Sequence, residues 1–164
     1  MLNIKSLILV AALLIGTATT YAQLPSIQVK DLSGKTVDTA TLSNDGKPFA
    51  ISFFATWCKP CMRELRAIAE VYPDWQDETG MKMYIVSIDD AQNVAKVKPL
   101  VDAEGWDYEV LLDQNGDFYR SLGISAVPHM LVLDGKGNII MNHSGYTDGA
   151  ETEVIAKIRE AAEK

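Results

Sequence analysis

Short apolar runs alternate with amphipathic stretches along most of the chain, a pattern that predicts strands and helices in turn. Ile27 and Val29 alternate with polar residues ahead of a Ser33-Gly34-Lys35 turn, which predicts an N-terminal β-hairpin. Two mostly apolar runs predict buried strands, at residues 49–54 and 83–88, and residues 108–112 predict a further strand. Residues 130–133 and 139–141 flank "DGKGN" and predict a closing hairpin.

Helical periodicity predicts four helices among these strands. The first begins at Cys58 and ends before Pro73, and the others cover residues 91–104, residues 116–122 and an apolar stripe within residues 154–162. Strands that alternate with helices imply an α/β fold with parallel connections, and the closing hairpin makes the central sheet mixed. Cys58 directly follows the strand at residues 49–54, and reactive sites favour such carboxyl ends of strands.

The first 22 residues have the pattern of a secretory signal peptide. Lys5 supplies a basic start, residues 7–15 are apolar, and small residues precede a cleavage point after Ala22. A membrane span needs roughly 20 apolar residues, and this run stops at Gly16, which disfavours an uncleaved anchor. We therefore predict a leader at residues 1–22 and one domain at residues 23–164 in a periplasmic or otherwise extracytoplasmic compartment.

The predicted mature domain is acidic, with 14 basic and 22 acidic residues. A domain with this balance lacks the positive surface that binds nucleic acid, so nucleic acid is not expected as a partner. The charges are spread along the chain and favour solubility.

The chemistry of the chain centres on "FFATWCKPC", which contains its only two cysteines. An oxidising compartment permits a disulfide between Cys58 and Cys61. Such a bridge closes a very short loop and stabilises a fold poorly, which disfavours a purely structural crosslink. Zinc would need two further ligands, and only His129 and His143 offer nitrogen, at spacings that fit no zinc finger. No metal and no cofactor are expected, and thiol redox chemistry remains.

A helix that begins at Cys58 makes the two sulfurs unequal. Unpaired N–H groups and the helix dipole favour a thiolate at Cys58, and Lys59 adds a positive charge. Pro60 lies in the first turn, where its missing N–H costs nothing. Cys61 lies on the apolar face of the helix, so we expect Cys61 to be shielded and Cys58 to be exposed.

Glu64 lies at the edge of that apolar face, three residues after Cys61. A carboxyl group there is placed to exchange a proton when Cys61 attacks or is released. The alternative is a surface charge that reaches solvent or pairs with a neighbouring lysine or arginine.

The segment "GKPFAISFFATWCKPCMREL" resembles the active-site segment of thioredoxin-like proteins, and most closely the exported TlpA/ResA group. The segment "GISAVPHMLVLDGKGNII" resembles the downstream part of the same group, and the resemblance runs from about Ile27 to the last helix. It implies a thioredoxin-like fold in which residues 83–123 supply an inserted strand and helix.

The resemblance also implies roles for individual residues. Cys58 is the attacking cysteine and Cys61 the resolving one, while Val127-Pro128 matches a cis-proline pair that faces them and offers backbone groups to substrate. Glu64 matches a glutamate near the active site of ResA-like proteins, and Trp57 is expected beside the sulfurs, shaping the substrate surface.

Two positions differ from the sequence pattern of the family, and the role of a third is not assigned by the resemblance. Ser52 stands where cytoplasmic thioredoxin has a buried acid, so Glu64 is a candidate substitute for that proton relay. His129 follows the proline where the group often has threonine, and either tunes the site or simply packs. Asp89 is interpreted as a core or loop residue, although it follows a strand on the same sheet edge as the cysteines.

The predicted function is an exported thiol–disulfide oxidoreductase, a monomer that reduces disulfides in exported proteins and is re-reduced by a membrane thiol donor. The alternatives are a disulfide-donating oxidase, a thiol peroxidase and a non-catalytic binding module. Thr56 lies two residues before Cys58, which does not match the threonine spacing of the peroxidases.

Overall fold

The computed structural model describes residues 22–163, so the predicted leader lies outside the described residues apart from Ala22. The seven strands are β1 (Gln28–Asp31), β2 (Thr36–Asp38), β3 (Phe49–Phe54), β4 (Lys82–Ser87), β5 (Glu109–Leu112), β6 (His129–Leu133) and β7 (Ile139–Ser144). The four α-helices are α1 (Lys59–Thr79), α2 (Val97–Glu104), α3 (Asp117–Ser121) and α4 (Glu151–Ala162). No helix in this part of the chain is long and apolar enough to span a bilayer.

All seven strands form one mixed sheet in the order β2-β1-β5-β4-β3-β6-β7. The central strands β3, β4 and β5 run parallel, while the N-terminal hairpin and the β6–β7 hairpin pair antiparallel at the two sides. The predicted α/β class, the mixed sheet and both hairpins are confirmed. The cysteine segment follows β3, so it leaves from the middle of the sheet.

Strand β3 is buried along its whole length because the sheet is covered on both faces. Its odd-numbered side chains, from Phe49 to Phe53, pack in one apolar cluster with Phe118 of α3. Ala50 and Phe54 pack on the other face, in a cluster with side chains of α1, α2 and α4. Ser52 also points to this second face, because successive strand residues alternate.

The first helix does not end at Pro73, and the prediction of its end was wrong. Helix α1 continues to Thr79 and stops at Gly80, whose φ of 64° is the left-handed conformation typical of a helix C-terminus. Proline inside a helix costs about 3 kcal/mol. Burial of Trp75 beyond it removes roughly 200 Å² of aromatic surface from water, at about 25 cal/mol per Å², which offsets that cost.

The helix predicted at residues 91–104 is also shorter than expected. A 3₁₀ turn at Val94–Lys96 precedes α2, which begins at Val97. Pro99 then falls in the first turn of the helix, where its missing N–H breaks no helical hydrogen bond. The proline therefore lies near the start of the helix rather than in its middle.

Candidate active site

A tight turn connects β3 to α1 and places both cysteines. The Cys58 N–H donates to the Ala55 carbonyl at 3.0 Å, which closes the turn over Thr56 and Trp57. Cys58 is the N-cap of α1, and its sulfur accepts a hydrogen bond from the Cys61 N–H at 3.2 Å. Pro60 lies in the first turn, as predicted from the sequence. The start of the helix therefore directs N–H groups at the Cys58 sulfur.

Cys58 and Cys61 form a disulfide with an S–S distance of 2.05 Å and a Cα–Cα distance of 5.3 Å. In this oxidised form Cys58 is only 5% exposed and Cys61 is fully buried. The expectation of an exposed Cys58 is therefore wrong for the disulfide, because the bond holds its sulfur against the buried Cys61. The expected order is retained, with the first cysteine nearer to solvent.

The residues around Cys58 form the outer surface of the site. Lys59 and Pro60 are exposed at the helix start. Trp57 is 63% exposed and is the one large hydrophobic side chain in residues 22–163 that is exposed. An indole that stays in water next to a reactive disulfide is available for contact with another molecule.

Pro128 lies at the same edge of the sheet as the cysteine turn. His129 opens β6 and pairs with Phe53, near the end of β3, so the residue before it lies beside the turn that leaves β3. The Val127–Pro128 peptide bond is cis, and Val127 packs against the cluster that contains both cysteines. The Pro128 carbonyl accepts a hydrogen bond from the Gly145 N–H at 2.8 Å. The Pro128 carbonyl is therefore already bonded within the protein.

Glu64 is buried, with 4% of its surface exposed, so the interpretation as a surface charge is wrong. Its Oε2 accepts a hydrogen bond from the Ser52 hydroxyl at 2.9 Å. Burial raises the pKa of Glu64 to about 7; the Ser52 hydrogen bond opposes this shift, and the nearby charge of Glu151 adds to it. Glu64 therefore changes its protonation state near neutral pH, one helical turn after Cys61.

His129 does not face the cysteines. It pairs with Phe53, so the two side chains lie on the face of the sheet covered by α3, and their rings are 6.5 Å apart. Its Nδ1 lies 2.6 Å from the Ser144 hydroxyl, and burial lowers the pKa of the imidazole. This geometry favours the interpretation that His129 packs in the core.

Asp89 is the residue whose contacts the sequence did not predict. It is fully buried and its carboxyl oxygens accept hydrogen bonds from the Thr56 N–H at 2.8 Å and the Thr56 hydroxyl at 2.7 Å. The Ser87 hydroxyl donates a third bond at 2.9 Å. The sequence carried only one signal, an acidic residue after a strand at the sheet edge that holds the cysteines.

A Cys-x-x-Cys disulfide at the start of a helix on a sheet of this topology defines the class of thioredoxin-fold thiol–disulfide oxidoreductases. The chain belongs to the AhpC/TSA family, whose model matches residues 21–141. The chain is 28% identical over 133 residues to the thiol-disulfide oxidoreductase ResA of Bacillus thuringiensis subsp. konkukian (strain 97-27). The aligned region covers 81% of this chain and 74% of the relative.

Solved structures agree with this assignment. A thioredoxin-like protein from Porphyromonas gingivalis is 59% identical, with a TM-score of 0.78 over 88% of this chain and 94% of that one. A putative thiol:disulfide interchange protein DsbE from Chlorobium tepidum has a TM-score of 0.71 over 87% of this chain and 96% of its own. Its identity of 19% makes it a likeness of fold alone.

Proposed function

We propose that this protein is an exported reductant of disulfides in other extracytoplasmic proteins. The observation that carries the proposal is the pairing of a helix-capping Cys58 with a buried Cys61, one turn before a carboxyl group whose pKa is raised to about 7. The first sulfur is placed to exchange with another molecule, and the second is protected until exchange has begun. The name of the ResA relatives, thiol-disulfide oxidoreductase, supports the same reaction class.

In the proposed cycle the reduced protein attacks first. The Cys58 thiolate bonds to one sulfur of the substrate disulfide, and the other substrate sulfur leaves as a thiolate and takes a proton from water. The N–H groups at the start of α1 stabilise the Cys58 anion before the attack. Trp57 contacts the substrate chain, and the Val127 backbone beside Pro128 binds it in an extended conformation.

The second step releases the substrate. Glu64 takes the proton of the Cys61 thiol, and the resulting thiolate attacks the Cys58 sulfur of the mixed disulfide. The bond from Cys58 to the substrate breaks, the second substrate sulfur leaves as a thiolate that takes a proton from water, and the Cys58–Cys61 disulfide remains. Two electrons have then passed from the protein to the substrate. A membrane thiol donor returns them by the reverse exchange.

The proposed reductant is exported and works as a single chain. Residues 1–22 direct export and are removed, which leaves residues 23–164 as the mature domain, working as a monomer. The apolar run at residues 7–15 and the small residues up to Ala22 support this. Lys59 adds a positive charge next to Cys58 and, with Pro60, favours the thiolate at the helix start.

The reduction potential tests the direction of electron flow. The protein is equilibrated with glutathione or dithiothreitol buffers, and the fraction of bonded Cys58 and Cys61 is measured by thiol labelling. A reductant is expected at or below about −200 mV, within the range of thioredoxins and glutaredoxins. A value near about −120 mV, typical of strong oxidants, would show instead that the protein donates its disulfide.

A further inference from the structure

The buried carboxyl group of Asp89 joins the turn after β3 to the segment after β4. It lies just beyond the last backbone bond between them, from the Ile88 N–H to the Phe54 carbonyl at 2.9 Å. Asp89 lies two residues after β4 and is fully buried, while Thr56 lies in the turn after β3. Both donors of Thr56, its N–H and its hydroxyl, bond to the same carboxyl group at 2.8 and 2.7 Å. Ser87, the last residue of β4, completes the set at 2.9 Å.

The hydrogen bond that closes the turn does not involve this acid. The hydrogen bond from the Cys58 N–H to the Ala55 carbonyl closes the turn, and the fully buried Ala55 anchors its start. The bonds from Thr56 to Asp89 therefore fix where the turn lies relative to β4. Burying a carboxyl group is costly unless it is well hydrogen-bonded, and its three donors meet that requirement.

Trp57 is the next residue along the turn, and its backbone position follows from that of Thr56. An indole that is 63% exposed has few contacts of its own to hold it in place. Its placement beside Cys58 is therefore set by the backbone, which Asp89 holds one residue earlier.

We propose that Asp89 is a positioning residue for protein substrates: through Thr56 it holds the Trp57 indole in the orientation that a disulfide-bearing polypeptide docks against. This inference rests on the roles proposed above for Trp57 and Cys58. A protein substrate contacts the indole as well as the sulfur, whereas a small aromatic disulfide needs only the sulfur. Loss of Asp89 therefore weakens reaction with proteins selectively.

The test compares two substrates in the Asp89→Asn variant of the reduced full-length mature domain. The substrates are insulin, a polypeptide disulfide, and 5,5′-dithiobis(2-nitrobenzoate), a small one. Asparagine keeps the size of the side chain but replaces one accepting oxygen with an NH₂ group, so the hydrogen bonds made at that position are lost or must reverse their direction. The KM for insulin is expected to rise about tenfold with kcat little changed, and the rate with the small disulfide to change less than about twofold.

A double-mutant cycle separates positioning from mere destabilisation. Trp57→Ala alone is expected to raise the KM for insulin by a similar factor, and adding Asp89→Asn to it should raise the KM little further, because Asp89 acts through Trp57. Asp113→Asn is the matched control. Asp113 is 3% exposed and accepts hydrogen bonds from the Phe118 and Tyr119 N–H groups near the start of α3. It should lower the melting temperature without a selective rise in KM.

Three results would overturn the inference: an unchanged KM for insulin in Asp89→Asn, an equal loss with both disulfides, or additive effects with Trp57→Ala. Should Asp89→Asn fail to fold, Thr56→Val removes only the hydroxyl bond and is expected to raise the KM for insulin about threefold. An unchanged KM for insulin in Thr56→Val would equally contradict a positioning role for Asp89. Failure of the wild-type protein to reduce insulin would instead refute the proposed function, and this inference with it.

Discussion

Glu64 lies in the helix that contains Cys61, and Asp89 bonds to the turn that precedes Cys58. Both carboxyl groups are buried, and they differ in how many hydrogen-bond donors they meet. Glu64 on α1 accepts one hydrogen bond, from Ser52, and burial raises its pKa to about 7. Asp89 beyond β4 accepts three, two of them from the turn that carries Trp57. Burial, only partly opposed by a single donor, raises the pKa of Glu64 to about 7, while three donors hold the Asp89 carboxyl group in one orientation.

The difference separates chemistry from positioning. In the proposed mechanism, the groups that exchange electrons and protons, Cys58, Cys61 and Glu64, lie at the α1 side of the site. The groups proposed to hold the docking surface in place lie at the β4 side. Removing residues from the two sides should therefore change different measured quantities.

The largest effect is expected on the α1 side, from replacing either cysteine. Cys58→Ser should reduce insulin turnover about a thousandfold or more, because no sulfur remains to attack. Cys61→Ser should also stop turnover but accumulate a mixed disulfide at Cys58, since the resolving thiol is gone. Non-reducing electrophoresis followed by mass spectrometry identifies the trapped partners. If Cys58→Ser lost insulin turnover but still supported the full function of the protein in its cell, the protein would work as a non-catalytic binding module.

The next effect concerns Glu64 and the pH dependence of stability. Folding raises the pKa of Glu64 from 4.5 to about 7, so the folded protein keeps a proton that the unfolded chain releases. Its contribution to stability is complete below pH 4.5 and is lost as the pH rises to about 7. The loss amounts to about 3 kcal/mol in the free energy of unfolding.

Glu64→Gln should remove this pH dependence while keeping the Ser52 hydrogen bond. Urea unfolding of the oxidised wild type and variant, measured from pH 4 to 8, gives the difference in their free energies of unfolding. Contributions from carboxyl groups that both proteins contain cancel in this difference. The variant should become the more stable of the two as the pH rises. A constant difference across this range would mean that Glu64 is not the titrating group, and an unchanged pH profile of insulin reduction would remove it from the mechanism.

A smaller effect is expected from Ser52→Ala. The Ser52 hydroxyl lowers the pKa of Glu64 against the effect of burial, so its removal should move that pKa further upward, by roughly one unit or less. Carbon-detected NMR titration of the Glu64 carboxyl carbon measures the shift. The matched control is Ser87→Ala, which removes a donor from Asp89 and should leave the Glu64 titration unchanged. A shift of equal size in the control would show that the two carboxyl groups are coupled.

The smallest effect is expected from Arg63→Gln, one residue before Glu64 on the exposed side of α1. Arg63 pairs with Asp148 at 3.3 Å, and both side chains are largely exposed. Exposed pairs contribute little, so the free energy of unfolding should change by less than about 0.5 kcal/mol. Denaturant titration at neutral pH measures it. A larger loss would show that burial does not explain why substitution of Glu64 changes the free energy of unfolding more than substitution of Arg63.

Local patterns were sufficient for most elements of the fold. The period of two around Ile27 and Val29 and the apolar run at Phe49–Phe54 each identified a strand, because one or two covered faces impose these patterns directly. Pro73 misled the prediction of α1 because proline is a local signal of a helix end. The burial of Trp75, which keeps the helix going, depends on the core beneath it.

The sequence by itself determined the order of strands and helices, the pair of cysteines at a helix start and the acidic balance of the domain, since each depends on neighbouring residues or on composition. Only the tertiary structure decided that Glu64 is buried against Ser52 and that Asp89 bonds to Thr56. These partners are 12 and 33 positions apart along the chain. They meet because α1 packs over β3 while β4 pairs beside it, and hydrogen bonds between such distant residues leave no periodic signal in the sequence.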